Sequence, residues 1–355
     1  MSTSPRPLVS VCLPTYNGEE FLAQAIDSVL AQTYGNFEVI VLDDCSSDRS
    51  FDLIKRYAAR DKRIKSARND CRKGLFANYN ACMARAAGDV IKLFAQDDLI
   101  ERDMLARAVE ALVSQPSVAL VSTAKRWIGP DGAELKVFKQ FPDDRLIPGD
   151  EVILYNLLRL TNWVGEPSTV AFRREQIGSG FDCSFHHYGD VEYWFRIIGG
   201  RDCLFVSDVL CGFRRHPDSQ STRNQTGLLF ALDILRLNKK YSALLSEFGE
   251  RPEQTNRRAM ELIALNLDHL VRQENLTLES FLNAGGEATV AVDDFKELFF
   301  GSLAALTATI AELDDWKCKH AAETAHLRAE LANLHASRSW KITEPLRGLI
   351  NSLRS

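Results

Sequence analysis

The chain has 355 residues, room for two domains or for one domain with additions. At 45% hydrophobic and 26% charged its composition is ordinary for a soluble globular protein. A formal net charge of −5 without any long basic block excludes nucleic acid as the main partner.

The opening "MSTSPRPLVSVCLP" lacks an apolar stretch long enough for a signal peptide. No run of about eighteen apolar residues occurs, so a transmembrane helix is not expected. The eight cysteines are scattered without a C-x-x-C pair, which fits free thiols in a reducing cytosol. We therefore expect a cytoplasmic protein.

Residues 8 to 122 alternate between strand and helix patterns. "LVSVCL" reads as a buried strand, and "EEFLAQAIDSVLAQ" as a helix with Phe21, Leu22, Ala25, Ile26, Val29 and Leu30 on one face. "FEVIVL", "SFDLIKRYAAR" and "RIKSA" continue as strand, helix and strand. "LFANYNACMARAAG" reads as a third helix with Gly88 in a C-cap position. "VIKLFA", "DMLARAVEALVSQ" and "VALVS" follow as strand, helix and strand. This repetition implies a mostly parallel sheet covered by helices. Residues 123 to 220 are less regular, with one helix at 191–199, and residues 225 to 300 look helical.

In open α/β sheets ligands bind outside the carboxyl ends of the strands. The first strand exits into "PTYNGEE", the second into "DDCSSD", and the one before Gln96 into "QDD". These loops bring Asp43, Asp44, Asp48, Asp97 and Asp98 to one rim without lysines among them. Such a set calls for a cation, and Mg²⁺ or Mn²⁺ is typically held by one or two carboxylates plus substrate phosphates. Asp at a strand-to-helix turn is also a common helix cap. Asp48 fits that role, and Asp97 is open to it. Neither G-x-x-x-x-G-K-[ST] nor G-x-G-x-x-G after a strand is present, which argues against P-loop and dinucleotide sites. An aspartyl-phosphate phosphatase needs a second Asp two residues after its nucleophile, where Cys45 and Ser46 stand here.

The stretch "VSVCLPTYNGEEFLAQAIDSVLAQTYGNFEVIVLDDCSSDRS" resembles the opening of family 2 glycosyltransferases. The likeness continues through "QDDLIERDMLARAVEAL", "NWVGEPSTVAFRRE", "GDVEYWFRI" and "FRRHPDSQS", covering about residues 8 to 220. The resemblance implies a GT-A fold, a Rossmann-like α/β sheet, and inverting transfer of a sugar from a nucleotide-diphospho-sugar to an acceptor hydroxyl. It places Pro14 and Tyr16 by the nucleobase and has Asp44 accept a base N–H. The common D-x-D-D metal motif is altered here by Ala95 and Gln96. That leaves Asp98 for the metal and Asp97 for the ribose or a metal-bound water. Gly165 matches a glycine loop near the acceptor, Asp190 the catalytic base, and His216 a late histidine completing the metal or diphosphate site. Arg72 and Lys73 are further candidates for diphosphate contacts. The implied cofactor is Mn²⁺ or Mg²⁺.

On this basis we expect a glycosyltransferase domain over 1–222 and a helical extension over 223–300. A long helix or coiled coil over 301–337 and a basic amphipathic tail over 338–355 would follow. The apolar seam from Leu303 to Leu334 is polar around Lys317, so pairing there would be weak. In the tail Ile342, Leu346, Leu349, Ile350 and Leu353 share a helical face with basic flanks. That fits an anionic membrane surface, a docking site for a partner protein, or packing on the chain's own domain. The resemblance points to bacterial surface polysaccharide, such as the O-antigen of lipopolysaccharide or capsule, with a glycan or lipid-linked acceptor. The enzyme would then work at the inner face of the cell membrane. Asp190 at a helix start would feel the helix dipole, which favours ionisation, while burial would raise its pKa. Two other classes compete. One is an inactive glycosyltransferase-like scaffold recruiting partners through its helical tail. The other is a nucleotidyltransferase, which would need a glycine- and lysine-rich first loop where this chain has the acidic "PTYNGEE".

Overall fold

The structure, a computed structural model, describes residues 6–216 and 229–249. The chain begins with a βα repeat: β1 (Val9–Thr15), α1 (Leu22–Leu30), β2 (Phe37–Asp43), α2 (Ser50–Arg60), β3 (Ile64–Arg68), α3 (Leu75–Met83) and β4 (Val90–Leu93). Next come β5 (Leu99–Ile100), α4 (Met104–Ser114), β6 (Val118–Ile128), β7 (Glu134–Phe138), β8 (Arg145–Pro148) and α5 (Gly149–Arg159). β9 (Val170–Arg173), α6 (Gly189–Ile198), β10 (Asp202–Arg214), α7 (Leu229–Lys240) and α8 (Ser242–Glu247) complete the described elements.

The strands form one mixed sheet in the order β3-β2-β1-β4-β9-β6-β10-β5, with β7 on β6 and β8 on β10. β1, β2, β3 and β4 are parallel. β9 runs antiparallel between β4 and β6, and β10 is parallel to β6. Two antiparallel steps restore the direction, so β1, β2, β4, β6 and β10 all end at one rim, and β9 begins there. The three polar loops predicted to converge do so, joined by the segment before β9 and the chain leaving β10.

Side-chain alternation along each strand divides the core in two. Val9, Val11 and Leu13 face α1, α2 and α4, whose inward stripes include Leu22, Ile26, Ile54, Leu105 and Leu112. Cys12, Ile40 and Leu42 face the opposite way, toward α3, α5 and α6. On α6 the predicted inward residues Val191, Trp194, Phe195 and Ile198 are all buried. β6 runs well past "VALVS" because its second half pairs with both β7 and β10.

Two expectations are corrected by this packing. Gly88 does not cap α3, which ends at Met83. It passes against β1 instead, where an added Cβ would lie 2.6 Å from Leu8 O and 2.7 Å from Ser10 N. The boundary expected at 222 does not close the domain, because Leu237 of α7 and Leu245 of α8 belong to the same core as α5 and α6. Both helices fall in the stretch read as helical. Among the described residues no helix is long and apolar enough to cross a membrane. The expected coiled coil over 301–337 and tail over 338–355 lie outside the described residues.

Gly88→Ala should therefore cost about 1–3 kcal/mol, the usual range for overpacking. A urea unfolding curve reads this directly, and an unchanged midpoint would contradict the close approach.

Candidate active site

The rim surrounds a cavity of about 580 Å³ lined by Pro14, Tyr16, Asp44, Asp97, Asp98, Asp190 and His216. On the β1 and β2 side, Gln96 fixes the first loop. Its Oε1 accepts from Tyr16 N at 2.9 Å, and its Nε2 donates to Tyr16 O at 2.9 Å. The side chain thus pairs with Tyr16 as a neighbouring strand would. The Arg72 guanidinium lies 4.2 Å from the centre of the Tyr16 ring, within cation–π range. Asp44 accepts from Asn69 Nδ2 at 2.7 Å, Lys73 N at 2.9 Å and Gly74 N at 2.8 Å. These donors occupy both carboxylate oxygens and order the loop ahead of α3. Asp48 accepts from Ser50 N at 2.9 Å and from Glu19 N at 3.0 Å, tying the first loop to the start of α2, while the N-cap position itself is Arg49.

At the mouth of β4 the two neighbouring carboxylates have different fates. Asp98 is 1% exposed, and its Oδ1 accepts from Arg214 N at 2.9 Å. Its Oδ2 makes no hydrogen bond of ordinary geometry, although the nearby Ser168 hydroxyl partly favours the ionised form. Burial first, and the Asp97 charge second, push the Asp98 carboxyl well above the usual carboxylate range. Asp97 is partly exposed, with Oδ2 3.0 Å from His216 Nε2. Arg214, the last residue of β10, organises both. It is 1% exposed and donates to Asp97 O at 2.7 Å, Pro130 O at 2.7 Å and Gln24 Oε1 at 2.9 Å. Its guanidinium lies 4.5 Å from the centre of the Phe21 ring.

Across the cavity, Asp190 is the second residue of α6. Its Oδ2 accepts from Asn162 Nδ2 at 2.8 Å and its Oδ1 from Val191 N at 2.8 Å. Burial pushes its carboxyl up to about 7, only partly opposed by the Val191 N–H, and nearby Glu166 adds to the rise. Burial therefore outweighs the backbone N–H groups at the start of α6. The carboxylate keeps one face on the cavity, so a bound ligand would complete its desolvation. His186, His187 and Tyr188 line the same wall. Burial lowers His187 to about 4, which keeps it neutral at pH 7. Behind the wall, the buried Lys92 amine donates to Ser168 O at 2.6 Å and Leu93 O at 2.7 Å, fixing the turn before β9 to β4. Burial brings that amine down to about 8.

Three placements differ from expectation. His216 pairs with Asp97, whereas it was grouped with Asp98, because the Arg214 amide has already turned Asp98 inward. Gly165 lies behind the cavity wall at φ +118°, a conformation that favours glycine. Its carbonyl accepts from Trp194 Nε1 at 2.9 Å and Asn162 Nδ2 at 3.1 Å, and its N–H donates to Asn162 Oδ1 at 2.9 Å. Its backbone N–H and carbonyl are thus both engaged within the protein, and it does not line the cavity. Asp44 supports the loop beneath the expected base site, and a base N–H would have to share an oxygen that already has partners. Arg214 and Asn162 escaped the sequence reading, and Gln96 was read only as a departure from the metal motif, although all three lie within the quoted motifs.

The profile of glycosyl transferase family 2 matches residues 10–177. The putative teichuronic acid biosynthesis glycosyltransferase TuaG of Bacillus subtilis is 30% identical over 209 residues, covering 57% of this chain and 79% of its own. The chain belongs to glycosyl transferase family 2. A second Bacillus subtilis relative, the putative glycosyltransferase EpsE, is 39% identical over 118 residues, 33% of this chain and 42% of its own. In fold the chain resembles S. aureus TarS 1-349 in complex with UDP-GlcNAc, with TM-score 0.56, 17% identity and coverage of 78% and 79%. It also resembles the mannosyltransferase PcManGT from Pyrobaculum calidifontis in complex with GDP-Man and Mn²⁺, with TM-score 0.51, 20% identity and 88% of each chain. The α/β architecture is accordingly GT-A, and the protein is a glycosyltransferase. This sets aside the nucleotidyltransferase reading.

In this glycosyltransferase the Asp190 carboxyl should titrate near pH 7, protonated below and ionised above. Carboxyl ¹³C shifts of aspartate-labelled protein, assigned with Asp190→Asn, would show it. Titration near 4 would mean that the wall leaves Asp190 solvated.

Proposed function

We propose that the cavity holds a nucleotide-diphospho-sugar against β1, β2 and β4, with the acceptor hydroxyl against α6. One observation carries this: a half-buried carboxylate, pushed up to about 7, shares a single cavity with the Asp97–His216 pair. Tyr16 and Arg72 offer the nucleobase an aromatic and cationic edge, and Asp44 holds the loop beside it. Asp190 takes the proton from the acceptor oxygen as that oxygen attacks C1 of the sugar. The bond from C1 to the diphosphate breaks in the same step, and the nucleoside diphosphate leaves. General-base assistance works best when the base's pKa lies near the operating pH, which a value of about 7 satisfies. Asn162 holds one Asp190 oxygen and the Val191 N–H the other, which fixes the carboxylate's plane and leaves a second lone pair on each oxygen for the acceptor proton.

The residues also fit a divalent cation. Asp97 and His216 supply one oxygen and one nitrogen, and Asp98 Oδ2 is a buried oxygen without a hydrogen bond. Among the described residues no group of three or more His, Cys, Asp or Glu forms a closed metal cage. An open two-residue site completed by substrate phosphates suits Mg²⁺ or Mn²⁺. When bound, such an ion neutralises charge developing on the leaving diphosphate. We assign this position to Asp97 and His216, with Asp98 behind them. The names of the relatives TuaG and EpsE place neighbours of this chain among teichuronic acid and other glycosyltransferases. They support a surface polysaccharide, as a glycan or lipid-linked chain, as the acceptor class.

Incubation with UDP-, GDP- and dTDP-sugars should release free nucleoside diphosphate, and release of pyrophosphate would sink the reading. Below pH 7 kcat/KM should fall about tenfold per unit as Asp190 protonates, and it should level off above pH 7. Asp190→Asn keeps shape and hydrogen bonding but cannot accept the proton. Its kcat should drop by a factor on the order of 10²–10⁴ while donor Kd stays near wild type. A near-normal kcat would remove Asp190 as the base. Asp97→Ala should abolish Mn²⁺-dependent donor binding, and donor binding that survives both the substitution and EDTA would refute the metal assignment.

A further inference from the structure

Asp233 lies on α7, past the segment that carries the family motifs, and is 0% exposed. Its Oδ2 accepts from three successive backbone N–H groups: His186 at 2.9 Å, His187 at 2.6 Å and Tyr188 at 2.9 Å. A concave run of N–H groups closing on one carboxylate oxygen is an anion nest, here filled by the protein's own side chain. Burying a carboxylate is costly unless such donors compensate it, and here they do so in part: Oδ1 has no hydrogen bond, and burial raises the carboxyl above its ordinary range. The nest therefore ties α7 to one defined conformation of residues 186–188. α7 also holds both flanks of this stretch, through Arg236 Nη1 on Ser184 O at 2.6 Å and Lys240 on the buried Glu192.

What this stretch does in the site gives the contact its meaning. The side chains of His186, His187 and Tyr188 line the cavity. Tyr188 is the N-cap of α6, and Asp190 follows two residues later. A shift of the 186–188 backbone therefore moves the start of α6, and with it the Asp190 carboxylate. The Asp44 and Asp97 side of the cavity hangs on β1, β2 and β4 and has no bond to α7 among those described. We infer that Asp233 is a positioning residue for the acceptor side. Through its grip on 186–188 it sets the aim of Asp190 and the shape of the wall that receives the acceptor. The inference rests on the reading of Asp190 as the base.

The test compares Asp233→Ala, Asp233→Asn and Asp190→Asn in the full chain. The probe is the UDP-, GDP- or dTDP-sugar that the wild type turns over with Mn²⁺. Asp233→Ala should lower kcat by up to the order of 10²-fold, the scale of a misplacement of about 1 Å. It should also raise the acceptor KM and leave donor Kd within about twofold. Asp233→Asn should recover most of the rate, since its amide oxygen still accepts from the three N–H groups. A folded Asp233→Ala with wild-type kcat and acceptor KM, beside an inactive Asp190→Asn, overturns the positioning role alone. A near-normal Asp190→Asn overturns the base reading beneath it. If Asp233→Ala does not fold, amide exchange in the wild type decides. The 186, 187 and 188 amides should be protected together, and exchange at free-loop rates would refute the clamp.

Discussion

Two adjacent carboxylates at the mouth of a strand repel each other, and the active rim is built around how Asp97 and Asp98 are kept there. The answer lies in Arg214. Its backbone N–H takes Asp98 Oδ1. Its guanidinium goes to the carbonyls of Asp97, Gly129 and Pro130 and to Gln24 rather than to a carboxylate. The arginine thus fixes the loop by geometry more than by neutralising charge. Asp98 is turned inward and biased toward its protonated form. Asp97 is left facing the cavity, and His216, two residues past Arg214, reaches it. None of this could form unless β10 ended at the same rim as β4, which the antiparallel insertion of β9 makes possible.

The two sides of the cavity treat their carboxylates in opposite ways. On the donor side Asp44 sits among three donors, and Asp43 accepts from Ser46 N at 3.0 Å and pairs with Arg68 Nε at 3.1 Å. Asp44 has both oxygens engaged, while the Asp43 contacts fall on Oδ2 and its buried Oδ1 has no hydrogen bond. Across the cavity Asp190 has two donors, but burial and the nearby Glu166 raise its proton affinity. For Asp190 burial outweighs the donors that reach it, and that balance is what the proposed role as base depends on.

Much of the frame was legible in the sequence. Buried strands such as "VSVCLPT" and "FEVIVLD" read as continuous apolar runs, and the βα alternation places the polar loops at one rim. The motif residues Tyr16, Asp44, Asp97, Asp98, Asp190 and His216 do line one cavity. What stayed hidden depends on tertiary neighbours. β9 is four residues long and carries no periodic signal. Gly88 looked like a helix terminator because its contact, the β1 backbone, is far away in sequence. Gln96 looked like a lost carboxylate, and only the folded loop shows it bonded to both polar groups of the Tyr16 backbone. Nothing local marks Asp233 as the anchor of the 186–188 turn.

The central claim is a single displacement assisted by one carboxylate. Glu166, a second carboxylate lining the same cavity, is ion-paired with Lys125. Transfer in one step must invert the anomeric centre, whereas a glycosyl-enzyme intermediate would retain it. The direct measurement is the anomeric configuration of the first-formed product, read from its ¹H coupling by NMR with a donor of known anomer. An α-linked donor should give a β-linked product. A product that keeps the donor's configuration would contradict the account.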